Sequence, residues 1–129
     1  MQLLRDRLKV LVVDDMATSR GVLTSTLSKL GINKFTYESS VRDAVKALKT
    51  YRPDLVLCDM NMPEETGLDL LKALRSDPAN QNTAFILVSG RPDANVISRG
   101  QVLGMNNFIA KPFTPEGLKI CIEQVVGQI

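Results

Sequence analysis

"DLVLCDMNMPEETG", residues 54–67, sets four apolar residues between two aspartates and then breaks into a polar loop. An unbroken apolar run of this kind, Leu55 to Cys58, reads as a strand buried on both faces, the form strands take inside a parallel sheet. Asp59 then stands at the mouth of the buried segment. A carboxylate in that position is poorly placed for stability and well placed for chemistry.

The same unit recurs to either side. Val10–Val13 is a β-branched apolar run, and Val22, Leu23, Leu27 and Leu30 follow at helical spacing with Gly31 as a stop. Phe35–Tyr37 is a short second strand. Ser40 caps a helix whose apolar face carries Val41, Ala44, Val45 and Leu48. After the third strand, Leu68, Leu71 and Leu74 mark a helix that Asp77-Pro78 closes. Phe85–Val88 is a fourth strand, followed by a helix from about Asp93 to Leu103 with Gly104 as its stop. Phe108–Ala110 is a fifth. Thr114-Pro115-Glu116 is a helix start with a hydroxyl cap, proline at the first helical position and an acid in the first turn. Leu118, Cys121, Ile122, Val125 and Ile129 form the apolar face of that last helix. Five βα units without a linker predict an α/β fold, (βα)5, with a doubly wound five-stranded parallel sheet covered on both faces.

Bulk properties agree. The 129 residues correspond to one domain, 1–129, and folding would remove roughly two thirds of the chain's surface from water. Apolar content of 44%, charge of 23% and a net charge of +2 are those of an ordinary globular chain, and neither the balance nor any Lys/Arg run points to nucleic acid. No apolar stretch approaches the ~20 residues of a membrane span, and the N-terminus lacks the pattern of a signal peptide. Cys58 and Cys121 stand far apart in apolar contexts and read as small core residues of a reduced, cytoplasmic protein. The chain has no histidine, which excludes Ser-His-Asp and Cys-His catalysis and every zinc motif that needs His.

Sites in open parallel sheets lie at the carboxyl ends of the strands. Strand one ends in Asp14-Asp15, strand three in Asp59 and strand four in Ser89, and strand five runs into Lys111-Pro112. Singly, each has an ordinary structural explanation: Asp14 or Asp15, Asp59 and Ser89 as helix caps, Lys111 as a solvated charge. Jointly they describe a site. Two carboxylates about 4 Å apart repel by ~4 kcal/mol at an effective dielectric near 20. Three such groups need a cation or must hold extra protons. Oxygen-only ligands suit Mg²⁺, and an aspartate is a competent nucleophile toward phosphoryl groups.

Asp14-Asp15, "DMNMP" around Asp59, "VSG" with Ser89 and "KPF" at 111–113, in this order and at these intervals, resemble the receiver domain of two-component response regulators, of the single-domain chemotaxis type. The likeness covers essentially the whole chain. It implies a flavodoxin-like strand order 2-1-3-4-5. It also implies Asp59 as phosphoacceptor and Mg²⁺ held by Asp14, Asp15 and Asp59, one ligand through water, with the Asn61 backbone carbonyl added. Lys111 and Ser89 would bind the phosphoryl group. Phe108 would be the aromatic whose rotamer follows activation, with Ile97 beside it on the partner-facing surface. The Lys-Pro peptide is usually cis in this family, and the resemblance extends this to Lys111-Pro112. Some positions depart from the pattern: Gly90 where alanine is frequent, Glu65-Thr66 where Met-Asp is frequent before Gly67, and Phe108 in place of tyrosine.

The function so implied is a phosphorylation-activated signalling protein, not a classical enzyme, with a histidine kinase as donor. Its output partner would be a protein such as a flagellar motor switch component, since the chain ends just after its fifth predicted helix. A stand-alone receiver serving as phosphate sink or adaptor for another kinase pathway is an alternative. From a different class, an aspartate-nucleophile phosphohydrolase is disfavoured by Asn61 where such enzymes carry a second acid. A flavodoxin-like cofactor protein is disfavoured by the acidic turn after Val13, which repels phosphate. Gly100, inside the fourth predicted helix, costs about 1 kcal/mol relative to alanine. It has two readings: a helix weak enough to shift, or close packing of Gly100 on the sheet.

Overall fold

Leu55–Asp59 (β3) is the central strand of the computed structural model, which describes residues 3–129. Val10–Val13 (β1) and Ala84–Ser89 (β4) flank it, and Phe35–Glu38 (β2) and Asn107–Ala110 (β5) form the edges. All pairs are parallel and the order is β2-β1-β3-β4-β5, as the resemblance implied. Every side chain of β1, β3 and β4 is buried, whereas the edge strands are partly exposed. The continuous apolar runs thus mark the strands that have a neighbour on each side and helices above and below.

Alternate residues feed two cores. Leu11, Val13, Val56, Cys58, Phe85 and Leu87 pack with Val41–Thr50 (α3) and Gly67–Ser76 (α4), and Ala94–Leu103 (α5) lays Val96 and Leu103 against the same cluster. Val10, Val12, Leu55, Leu57, Ile86 and Val88 pack with Leu23 and Leu27 of Ala17–Lys29 (α2) and with Leu118, Cys121 and Ile122 of Pro115–Val126 (α6). The sheet is therefore doubly wound. No helix among the described residues is long and apolar enough to cross a membrane.

Helix starts follow local chemistry. Ser40 accepts from the Asp43 amide, Asp93 from Val96, and Thr114 from Gly117 with Pro115 behind it. Thr66 and Asp69 form a reciprocal capping box on α4. Gly31 and Gly104 end α2 and α5 with φ of 84° and 95°, values an L side chain resists.

Several details differ from the sequence reading. A single helical turn, Leu4–Arg7 (α1), precedes β1, too short to carry a periodic signal. Val22, assigned by spacing to the apolar face of α2, is 52% exposed; the buried face is Leu23, Thr26 and Leu27. α6 ends at Val126, so Ile129 packs on the core from beyond the helix rather than on its face. Gly100 is buried, and a Cβ there would come within 2.7 Å of the Met105 sulfur: the position is closely packed, but against Met105 in the turn before β5 rather than on the sheet.

Candidate functional site

The parallel register delivers the strand-end residues to one edge. Asp59 pairs across to Val88, so Ser89 lies one residue beyond it, and Ser89 in turn pairs with Ala110, the residue before Lys111. The Lys111 amide donates to the Ser89 carbonyl at 2.8 Å, and the Met60 amide to the Val88 carbonyl at 2.9 Å. Residues roughly twenty to thirty positions apart in the chain thus become neighbours through strand pairing alone.

Asp14, Asp15 and Asp59 each offer a carboxylate oxygen within 4.8 Å of the others. Asp14 is fully buried and Asp59 nearly so, while Asp15 is half-buried. The Lys111 ammonium lies 2.8 Å from Asp59 Oδ1 and 3.3 Å from Asp14 Oδ2. Burial raises the Asp59 pKa above the usual carboxylate value; the hydrogen bond and charge of Lys111 pull it down, and Asp14 and Asp15 push it up again. For Lys111, burial acts downward, but its bond and attraction to Asp59, reinforced by Asp14, leave the pKa raised. Both members shift upward because they are not equally dry. Asp59 is buried, whereas the Lys111 side chain keeps 26% of its surface in solvent and is desolvated less.

None of these groups serves as a helix cap, which was their ordinary explanation. The capping residue of α2 is Met16, with no side-chain bond; that of α4 is Thr66 and that of α5 is Asp93. Asp14 Oδ1 accepts from the Met16 amide at 3.0 Å, within the turn before α2. The Ser89 hydroxyl accepts from the Arg91 amide at 3.1 Å, so its own proton is available to another acceptor. The loop beyond β3 is drawn against the strand end: the Gly67 amide donates to the Met60 carbonyl at 3.0 Å. A Cβ at Gly67 would lie 2.7 Å from the Asp59 carbonyl oxygen, so only glycine permits this approach. Asn61 is exposed in that loop, two residues past Asp59.

Two predicted residues lie outside the cluster. Phe108 is half-buried, paired with Leu87 in the sheet and packed on the core beneath α3, α4 and α5. Ile97 is half-buried in the first half of α5. The Lys111–Pro112 peptide is cis. Cys58 and Cys121 are free thiols, both buried, and burial pushes the Cys121 pKa up to about 11.

Sequence reasoning missed Ser19 and Arg20. The Ser19 hydroxyl bonds Asp14 Oδ2 and accepts from the Lys111 ammonium at 2.7 Å. The Arg20 guanidinium donates to the Asp14 carbonyl at 3.0 Å and stacks 5.0 Å from the Tyr37 ring centre. The signal for Ser19 was a hydroxyl in the first turn after the acid pair, a position that faces back over the strand ends.

Chemically, the edge presents an oxygen-only donor set at which three carboxylates face one ammonium. That excess of negative charge fits a hard divalent cation, and Mg²⁺ accepts such a set with waters completing it.

Comparison with known proteins agrees with this architecture. Residues 10–123 match the model of the response regulator receiver domain. The chain is 37% identical over 124 residues to the "Probable chemotaxis protein CheY" of Rhizobium etli, covering 96% of both chains. It is 37% identical over 121 residues to "Chemotaxis protein CheY1" of Helicobacter pylori, covering 93% of this chain and 98% of that one. The solved structure of chemotaxis protein CheY4 of Vibrio cholerae superposes with a TM-score of 0.87 at 28% identity, covering 93% of this chain and 99% of that one. The strand order, the acidic strand ends and these matches together show that the chain belongs to the response regulator receiver domain family, among relatives named as CheY chemotaxis proteins.

Proposed function

We propose that this chain is a phosphorylation-activated signalling protein of chemotaxis. In this reading it accepts a phosphoryl group from a histidine kinase on Asp59 in the cytoplasm and then binds a partner protein, a flagellar motor switch component being the candidate. The observation that carries the reading is the Lys111 ammonium 2.8 Å from Asp59 Oδ1, with Asp14 and Asp15 gathered beside it at the carboxyl edge of the sheet.

Asp14, Asp15 and Asp59, with the Asn61 main-chain carbonyl, would hold Mg²⁺. When bound, such an ion offsets negative charge on the transferred oxygens. The remaining work falls to the chain. An Asp59 carboxylate oxygen attacks phosphorus, the P–N bond to the donor imidazole breaks, and the electron pair leaves with that nitrogen, which takes up a proton. The product is an acyl phosphate. Lys111 neutralises charge on the phosphoryl oxygens, and the Ser89 hydroxyl, with its proton free, donates to one of them. Charge-assisted bonds of this kind contribute roughly 1.5–3 kcal/mol each. Two of them supply most of the ~5.5 kcal/mol that carries a population from 1:99 to 99:1. Phe108 and Ile97, away from the acids, belong to the responding surface in this scheme. Self-phosphorylation and self-dephosphorylation would be slow.

The test is incubation with Mg²⁺ and acetyl phosphate, followed by intact-mass measurement. The expected result is the mass gain of one phosphoryl group, stable in acid, labile in base, and abolished in Asp59→Asn. An unmodified wild-type chain, or a modified Asp59→Asn, would end the reading.

A further inference from the structure

The Lys111 ammonium sits on a tripod. Its three acceptors are Asp59 Oδ1 at 2.8 Å, Asp14 Oδ2 at 3.3 Å and Ser19 Oγ at 2.7 Å. Two of these are carboxylates of the acid cluster. The third is a neutral hydroxyl from the first turn of α2, 92 residues away in the chain.

The proton inventory of Ser19 is determined by its partners. A hydroxyl has one proton to give and two lone pairs. Lys111 has only donors, so Ser19 accepts from it. Asp14 as a carboxylate has only acceptors, so the Ser19 proton goes to Asp14 Oδ2. Ser19 is therefore a neutral bridge whose two hydrogen bonds run in the same sense, from ammonium to hydroxyl to carboxylate. Hydrogen bonds chained this way polarise one another.

We propose that Ser19 is a positioning residue for Lys111, holding the ammonium over Asp59 while the carboxylates serve other partners. Asp14 and Asp59 belong to the donor set that fits a divalent cation, and Asp59 is also the nucleophile, so both are shared between Lys111 and the reaction. Ser19 lies outside that set. It is the one contact of the tripod that neither a cation nor phosphoryl transfer draws on. A lysine is a flexible four-carbon stem carrying a point charge, so its placement depends on what holds its end. This role rests on Asp59 being the phosphoacceptor.

The surroundings allow a clean test. Ser19, Val22, Lys111, Pro112 and Phe113 line a cavity of about 310 Å³, which leaves space for one added methyl group. Ser19→Thr keeps the hydroxyl, and Ser19→Ala removes it while improving helix propensity, so neither variant threatens folding. Two measurements are made on both. In metal-free protein labelled with ¹⁵N-lysine, the wild-type Lys111 ammonium is expected to exchange slowly with water; exchange accelerates in Ser19→Ala and is restored in Ser19→Thr. With Mg²⁺ and acetyl phosphate, Ser19→Ala acquires the phosphoryl group about tenfold more slowly, the effect of one lost bond to a charged group, and Ser19→Thr stays within about twofold of wild type. Where the wild-type chain is phosphorylated, a Ser19→Ala protein that matches it in either measurement, or a Ser19→Thr protein as impaired as Ser19→Ala, overturns the proposal. A wild-type chain that takes no phosphoryl group while its ammonium exchange still depends on the Ser19 hydroxyl would refute the phosphoacceptor reading and leave the anchoring of Lys111 intact.

Discussion

At Asp59, burial and two neighbouring carboxylates oppose one ammonium, and the opposition prevails: the pKa lies above its ordinary value. The sign of the consequence follows from proton counting. As pH rises from the acid side, the unfolded chain releases this proton near the usual ~3.9, while the folded chain retains it longer. Across that window the native state binds more protons, so stability falls with rising pH, and above the folded pKa the cost is fully present. Asp59 therefore weakens the fold at neutral pH. Asp59→Asn is expected to raise the thermal midpoint at pH 7 by a few degrees, the shift of about 1 kcal/mol in a domain of this size. The gain should shrink as pH is lowered toward the carboxylate range. Thermal scans of both proteins from pH 8 to pH 4 check this; a gain that is absent at pH 7, or that grows on acidification, contradicts it. Lys111 has the opposite sign. Its raised pKa contributes stability that persists through neutral pH and is lost only in alkali.

Among the elements, the join between α4, α5 and β5 depends on one side chain. The Arg75 guanidinium donates to the carbonyls of Asn80 at 2.9 Å, Gln81 at 3.3 Å and Thr83 at 2.7 Å. It also reaches the Gly104 carbonyl at 3.0 Å and 3.1 Å and Asn106 Oδ1 at 2.8 Å. Asn106 Oδ1 accepts in turn from the Phe85 amide at 2.8 Å. One residue thus ties the end of α4 to the turn at Pro78–Asn80, the start of β4, the end of α5 and the start of β5. Among the described residues no carboxylate pairs with it, and burial lowers its pKa. Carbonyl oxygens of a helix end are natural acceptors for a cation, and the planar fork reaches several at once. Arg75→Ala strips the guanidinium from those carbonyls, leaving Asn80 only its bond from the Thr83 amide, and is expected to cost about 2 kcal/mol in urea denaturation, with Arg75→Lys recovering less than half because an ammonium cannot span the set. A loss below about 0.5 kcal/mol would place this contact among ordinary surface substitutions.

Over the whole molecule, a cation held by the acid cluster would couple stability to metal. A cation that binds only the folded state stabilises it by RT ln(1 + [L]/Kd), about 2.7 kcal/mol at one hundred times Kd. Wild-type protein is expected to gain several degrees of thermal midpoint in saturating Mg²⁺. Asp14→Asn and Asp15→Asn should lose most of that gain, and relieved repulsion is expected to raise the metal-free midpoint of each. Thermal scans with and without Mg²⁺ check this, and an unchanged metal-induced shift in both variants removes the pair from the metal site. How much of this was legible beforehand depends on the range of each signal. The apolar runs at Val10–Val13, Leu55–Cys58 and Phe85–Val88 announce strands because burial on two faces removes alternation, a local property. The polar residues that follow them, Asp14-Asp15, Asp59 and Ser89, announce an edge because parallel strands share a direction. Ser40, Thr114 and Gly104 act within a few residues of their own positions, and they hold. Helix rotation does not act locally. The exposure of Val22 beside buried Leu23, and the turning of Ser19 toward Lys111, depend on where α2 settles against the sheet and α6. The residues alone determined the βα rhythm, the core strands and the gathering of acids at one rim, since these follow from period and direction. Tertiary packing alone decided which hydroxyl holds the ammonium, which carboxylate is buried most deeply and which arginine closes the far end. Distances between groups far apart in the chain depend on how whole elements seat against one another, not on the order of their residues.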